Sequence, residues 1–227
     1  MNSAAPARTV DAQKLQTLVT DIFNAAGVPT PNAARIAECL VLADLRGVAS
    51  HGVSLLSIYL ERIRRGMVER VPEFAMSEPS PVAALLDGGN GFGFLAATKA
   101  MTMATERAEQ FGIGMVGVKN SNHFGMAACY LLQAVDAGFA ALVFTNASPA
   151  MPVWGGREPL LGTSPFAFGA PGNPPIILDM ATSVVARGKI RRAAAAGEPI
   201  PEGWALDKDG SPTTDAQAGY EGLILPL

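Results

Sequence analysis

Histidine and cysteine are scarce in this sequence, with two of each in 227 residues. Cys39 and Cys129 lie far apart in a chain with no export signal. They read as buried thiols, not as a disulfide. With so few histidines and such scattered cysteines, nothing has the spacing of a zinc site, and no metal is expected. Charge is also thin, at 16% of residues, with a net value of −3. No basic block stands out beyond "RIRR" at 62–65, so the footprint of a nucleic-acid binder is missing. No apolar run approaches the roughly 18 residues that cross a bilayer. The start "MNSAAPARTV" lacks the apolar core of a signal peptide. The expectation is a soluble cytoplasmic protein without nucleic-acid or membrane partners.

What is present is apolar and globular. Hydrophobic residues make up 49%, and the length allows one large domain or two small ones. Three helices open the chain. "DAQKLQTLVTDIFNAAG" (11–27) spaces Leu15, Leu18, Val19, Ile22 and Phe23 for one helical face and stops at Gly27. "TPNAARIAECLVLADLRG" (30–47) has Thr30 as its expected N-cap and Pro31 in the first helical position. "HGVSLLSIYLERIRRG" (51–66) is the third, with arginines near its C-terminal dipole. The texture changes near Pro72. Beyond it, apolar runs at 82–87, 113–118 and 139–147, with "FAFGAP" and "PIILDMA", read as strands. The stretches 94–112, 125–138 and 183–197 read as helices. This alternation implies an α/β domain with covered sheet faces. The closing "LILPL" is expected to expose apolar residues, which reads as a truncation.

Five stretches offer chemistry, each beside a plainer reading. In "DGGNGFGFLAATKA", Gly89, Gly91 and Gly93 give G-x-G-x-G, but Phe94 stands where a dinucleotide loop needs its third glycine. A tight strand-to-helix turn explains the pattern by itself. In "VKNSNHFGMAACY", His123 falls in a strand-to-helix loop. There it either caps something or lies beside a helix N-terminus that favours anions such as phosphate. Asp179 ends the apolar strand of "PIILDMATS", either to cap the next helix or to orient a histidine ring. Arg157 is the one cation of the Gly/Pro-rich loop 152–171, and reads more readily as a solvated charge than as a substrate clamp. His51 sits at the expected start of the third helix, with Ser50 as a plausible N-cap. That position disfavours an imidazolium unless a carboxylate compensates.

Taken in order, "DLRGVASHGVSLLSIYLERIRRG", "DGGNGFG", "VKNSNHFGMAACY", "VFTNASPAMPVWGGREPLLGTSPFAFGAP" and "LDMATSVVARGKI" resemble the non-Rossmann malate/L-lactate dehydrogenase family. That family also holds sulfolactate, ureidoglycolate and diketogulonate dehydrogenases and cyclic imine reductases. The resemblance covers nearly all of residues 10–227. It implies an α/β fold of the family's own non-Rossmann architecture, with an N-terminal helical region (1–72) and a cofactor-binding α/β region (73–227) whose C-terminal segments are missing. It implies NAD or NADP as cofactor, a small-molecule 2-hydroxy or 2-keto acid as substrate, and a homodimer with sites near the subunit interface. His51 of the S-H-G motif would be the acid/base, Ser50 its hydrogen-bonding neighbour and Asp179 its partner. His123, Phe124, Gly125, Met126 and Ala127, with Met180, Ala181, Thr182 and Ser183, would line the dinucleotide.

Two features depart from the family pattern. Many members carry a carboxylate-binding arginine four residues after the histidine, and here that position is Leu55. Arg62 lies two turns further along. Ser164 stands where the family's Gly-Thr-Asn-Pro stretch has asparagine. Family members also continue past the point matching Leu227. The alternatives are therefore a catalytically impaired relative that only dimerises, and a cyclic imine reductase, which needs less clamping of a carboxylate.

Overall fold

A computed structural model describes residues 9–227. Contacts divide the chain into two compact units. One runs up to Arg107 and takes in Gly114–Gly125; the other holds Ala108–Ile113 and Met126–Leu227. The sheet that follows the opening helices thus belongs with them.

The first unit begins with α1 (Ala12–Ala25) and α2 (Thr30–Leu45). Asp11 caps α1 by accepting from Lys14 N–H at 2.9 Å. In α2 the expected cap is displaced by one residue. Pro29 occupies the N-cap, Thr30 is already helical, and no side chain caps the end. Val19 and Phe23 of α1 are buried, as are Ile36, Cys39 and Leu40 of α2. The helix expected from His51 starts later. A 3-10 turn covers Ala49–His51, a second covers Val53–Leu55, and α3 runs Leu56–Arg64. The interruption is Gly52, in extended backbone at φ −92° and ψ −157°. A Cβ there would stand 2.0 Å from Asp44 Oδ1. The bare glycine lets the Asp44 carboxylate in to accept from Val53 N–H at 2.9 Å. Asp44, not Ser50, caps this end.

The sheet of the first unit has the order β1-β2-β3, with β1 Ala75–Ser80, β2 Ala83–Gly91 and β3 Met115–Ser121. β1 is antiparallel to β2, and β2 is parallel to β3. β1 has no apolar alternation (its sequence is AMSEPS), which is why periodicity does not reveal it. α4 (Gly93–Phe111) places Ala96, Ala100 and Met103 on Ala84 and Leu86 of β2.

In the second unit, β4 (Ala141–Phe144), β5 (Phe166–Ala170) and β6 (Ile176–Met180) form an antiparallel sheet in that order. α5 (Ala128–Asp136) covers one face, where the lack of a side chain on Gly169 admits Leu131 and Val135. The other face is not covered as expected. Leu142, Phe144, Ile176, Leu178 and Met180 are exposed there, with Phe144 63% accessible. α6 (Arg187–Ala196), α7 (Ala216–Glu221) and a small sheet of β8 (Pro212–Thr213), β7 (Ala205–Leu206) and β9 (Leu223–Ile224) build a separate core around Ile190, Ile200, Ala205 and Ile224. The exposure expected of "LILPL" holds at its last residue and not at its first two. Leu223 and Ile224 are buried because β9 pairs with β7, and Leu227 is exposed.

Among the described residues, no helix is long and apolar enough to cross a membrane. No group of three or more His, Cys, Asp or Glu there has the geometry of a metal site. Cys39 and Cys129 are buried thiols that form no disulfide.

Candidate active site

Both histidines belong to the first unit, and they meet. The rings of His51 and His123 stack with centroids 5.7 Å apart at 16°. His51 reaches this place from the 3-10 turn, its N–H bonded to Val48 O at 2.9 Å. Ser50 Oγ lies 2.9 Å from His51 Nδ1, so the serine holds the ring instead of capping a helix. His123 follows β3. Asn122 anchors that turn through its Nδ2, which donates to Asn90 O and Oδ1 at 2.9 Å each. The glycine-rich stretch is the other half of the same packing. A Cβ on Gly93 would stand 2.1 Å from Asn122 O, and one on Gly91 would stand 2.5 Å from Pro72. "GGNGFG" is thus a strand-to-helix turn whose glycines let the "NHFG" turn close on it.

Tyr59 completes the group, and the periodicity of the sequence does not single it out. It occupies an apolar position of α3 and is 1% exposed, its ring edge-on to Phe92 and Phe94. Its hydroxyl is 2.7 Å from His123 Nδ1. Burial pushes the phenol pKa well above its usual value, so the group stays an O–H donor. The pKa of His123 is pushed down to about 4, first by the surrounding protein mass, then by the charges of His51 and Arg62. His123 as a residue is nonetheless exposed. Arg62 acts electrostatically on both Tyr59 and His123, which brings the sequence's alternative cation to the site's electrostatics. A shallow groove of about 340 Å³ along α3 is lined by Ser57, Ile58, Glu61, Arg62, Arg65 and Met67. Leu55 is half-buried at the end of the second 3-10 turn.

The remaining candidates lie in the second unit. Asp179 Oδ2 accepts from Ala128 N–H at 2.8 Å. It caps α5, whose own N-cap residue, Ala127, has no side chain to do so. The helix that Asp179 caps is therefore α5, not the next one in sequence. The same bond places a carboxylate at this helix end, where the dipole favours it. Met126, Ala127 and Ser183 are buried. Ser183 Oγ donates to Val185 O at 2.8 Å. Met180 and Thr182 are exposed and Ala181 is half-buried. Arg157 is exposed, and its stem lies against Gly210, whose missing side chain makes room for it.

The site thus brings a serine-held histidine against a second, tyrosine-held histidine. The chain belongs to the malate/L-lactate dehydrogenase family, whose model matches residues 10–227. It is 40% identical over 211 residues to L-sulfolactate dehydrogenase of Methanocaldococcus jannaschii, covering 92% of this chain and 61% of that protein. It is 39% identical over 221 residues to (2R)-3-sulfolactate dehydrogenase (NADP(+)) of Chromohalobacter salexigens, covering 96% of this chain and 66% of that one. The solved structure of delta1-piperideine-2-carboxylate reductase from Pseudomonas syringae pvar. tomato superposes with a TM-score of 0.91. It shares 30% identity and covers 97% of this chain and 68% of that one. The chain spans about three fifths of the length of the L-sulfolactate relative.

Proposed function

We propose that this chain carries the acid/base side of an NAD(P)-dependent oxidoreductase that interconverts a 2-hydroxy and a 2-keto acid. The observation that carries the reading is the stacked pair, His51 held by Ser50 and His123 held by Tyr59. Its two rings differ in role. The pKa of His123 lies far below neutrality, so proton exchange falls to His51. His51 protonates the substrate oxygen as the keto acid is reduced and takes the proton back on oxidation. Nicotinamide, when bound, supplies or accepts the hydride. His123, Phe124 and Gly125 with Met180, Ala181 and Thr182 would hold it, backed by Met126, Ala127 and Ser183. Names of relatives include both NADP(+) and NAD(+), so both cofactors belong to the proposal. Asp179 remains the proposed carboxylate partner of His51, in addition to its bond to Ala128. Arg62 is the proposed substrate cation in place of Leu55.

The test is His51→Ala, assayed as NADH and NADPH oxidation with a panel of 2-keto acids. The expected loss is roughly 10²–10⁴-fold in kcat. An unchanged rate would overturn the role of His51.

A cyclic imine reductase is the second reading. Leu55 and the match to the piperideine carboxylate reductase favour it. Turnover of cyclic imino acids without turnover of keto acids would select it.

The proposal includes a homodimer. It is supported by the apolar face of β4-β5-β6, where Leu142, Phe144, Ile176, Leu178 and Met180 are accessible. Isolated proteins rarely leave such a contiguous patch to water.

A further inference from the structure

Two donors converge on one nitrogen of His123. Tyr59 Oη lies 2.7 Å from Nδ1, and Gly125 N lies 3.3 Å from the same atom. A backbone N–H can only donate. Nδ1 must therefore present its lone pair, and the ring proton belongs on Nε2. Tyr59 must then be the donor in the shorter bond.

Each donor is held there by packing. Gly125 has φ +75°, and a Cβ on it would stand 2.4 Å from the Phe94 ring, so a side chain is excluded at this turn. The Tyr59 ring stands edge-on to Phe92 and Phe94, with centroids 5.7 and 5.6 Å away at 83° and 81°. A fully buried phenol in such a clamp keeps its hydroxyl where the acceptor is.

We propose that Tyr59 is a positioning residue that holds His123 in the Nε2–H tautomer, so that this ring meets a ligand oxygen as a hydrogen-bond donor and not as a base. It deepens the reading of the site as a dehydrogenase centre, and rests on that reading only for what the ligand is. The depressed basicity of His123 agrees with it. The consequence is a division of labour between the stacked rings. One ring donates a fixed hydrogen bond to an acceptor oxygen, and His51 is left to change its protonation.

The experiment is a long-range ¹H–¹⁵N spectrum of the ring nitrogens of the ¹⁵N-labelled 227-residue chain near neutral pH. No substrate or cofactor is added, and His51→Gln assigns the two rings. The expected result for His123 is an unprotonated Nδ1 and a protonated Nε2. In Tyr59→Phe the two nitrogen shifts should move toward each other as the second tautomer becomes populated. A protonated Nδ1 in the wild type, or an unchanged pattern in Tyr59→Phe, would overturn the proposal. If Tyr59→Phe does not fold, the wild type still decides. A scalar coupling between the Tyr59 hydroxyl proton and His123 Nδ1 supports the role, and its absence removes it. None of these readouts requires turnover, so a failure of the dehydrogenase reading leaves them standing, and their failure leaves His51→Ala informative.

Discussion

At the scale of single residues, small groups decide where the reactive ones stand. Gly52 follows His51 because any Cβ there would collide with the Asp44 carboxylate. Gly52→Ala should break the Asp44–Val53 bond and release the 3-10 turn that carries His51. A cost on the order of 1–3 kcal/mol is expected, read as a shift of the urea midpoint at constant m-value. His123 adds a pH signature. Its folded-state pKa, about 4, lies below its ordinary value of 6.5. Between those values the unfolded chain binds the extra proton, so stability rises with pH. The contribution is complete above about pH 6.5 and is lost as pH falls toward 4. In His123→Gln this part of the stability–pH curve should flatten. A curve of unchanged slope would show that folding does not lower the pKa of this histidine. The Gly52 effect is legible in the sequence only as the S-H-G motif, whose reason is the Asp44 carboxylate packed against that glycine.

At the scale of elements, helix ends are completed from elsewhere in the chain. α5 starts at residues with no capping side chain, and β6 supplies Asp179. Asp179→Ala should cost about 0.5–2 kcal/mol, the usual value of a lost cap, measured by denaturant unfolding. Asp179→Asn keeps an acceptor oxygen and should recover much of that stability. If Asp179 also serves His51, the asparagine variant will be stable and still slow. If capping is its whole role, the variant will be stable and active. The opening helices were readable from 3.6-residue spacing, and their structural counterparts lie within a few residues of the expected bounds. α3 was misplaced because its start depends on the Asp44 contact, not on the residue types around His51. β1 and the three short strands of the tail carry too little alternation to be seen, and only pairing defines them.

At the scale of the whole molecule, the apolar face of β4-β5-β6 calls for a partner surface. A dimer should appear in light scattering at micromolar concentration. Phe144→Glu, which puts a charge on an edge strand of that face, should shift it to monomer while leaving the fold intact by circular dichroism. A wild-type monomer would overturn the homodimer proposal. The sequence by itself determined the α/β class, the family and the pair of histidines worth attention, because hydrophobic period and motif order are local or additive along the chain. Only the tertiary structure decided that His51 and His123 stack, that Tyr59 and Gly125 place the proton on one nitrogen, that Asp179 caps α5, and that the closing strand is buried. Each of these depends on a contact between distant segments, and such contacts are set by packing and hydrogen-bond geometry that no residue carries alone.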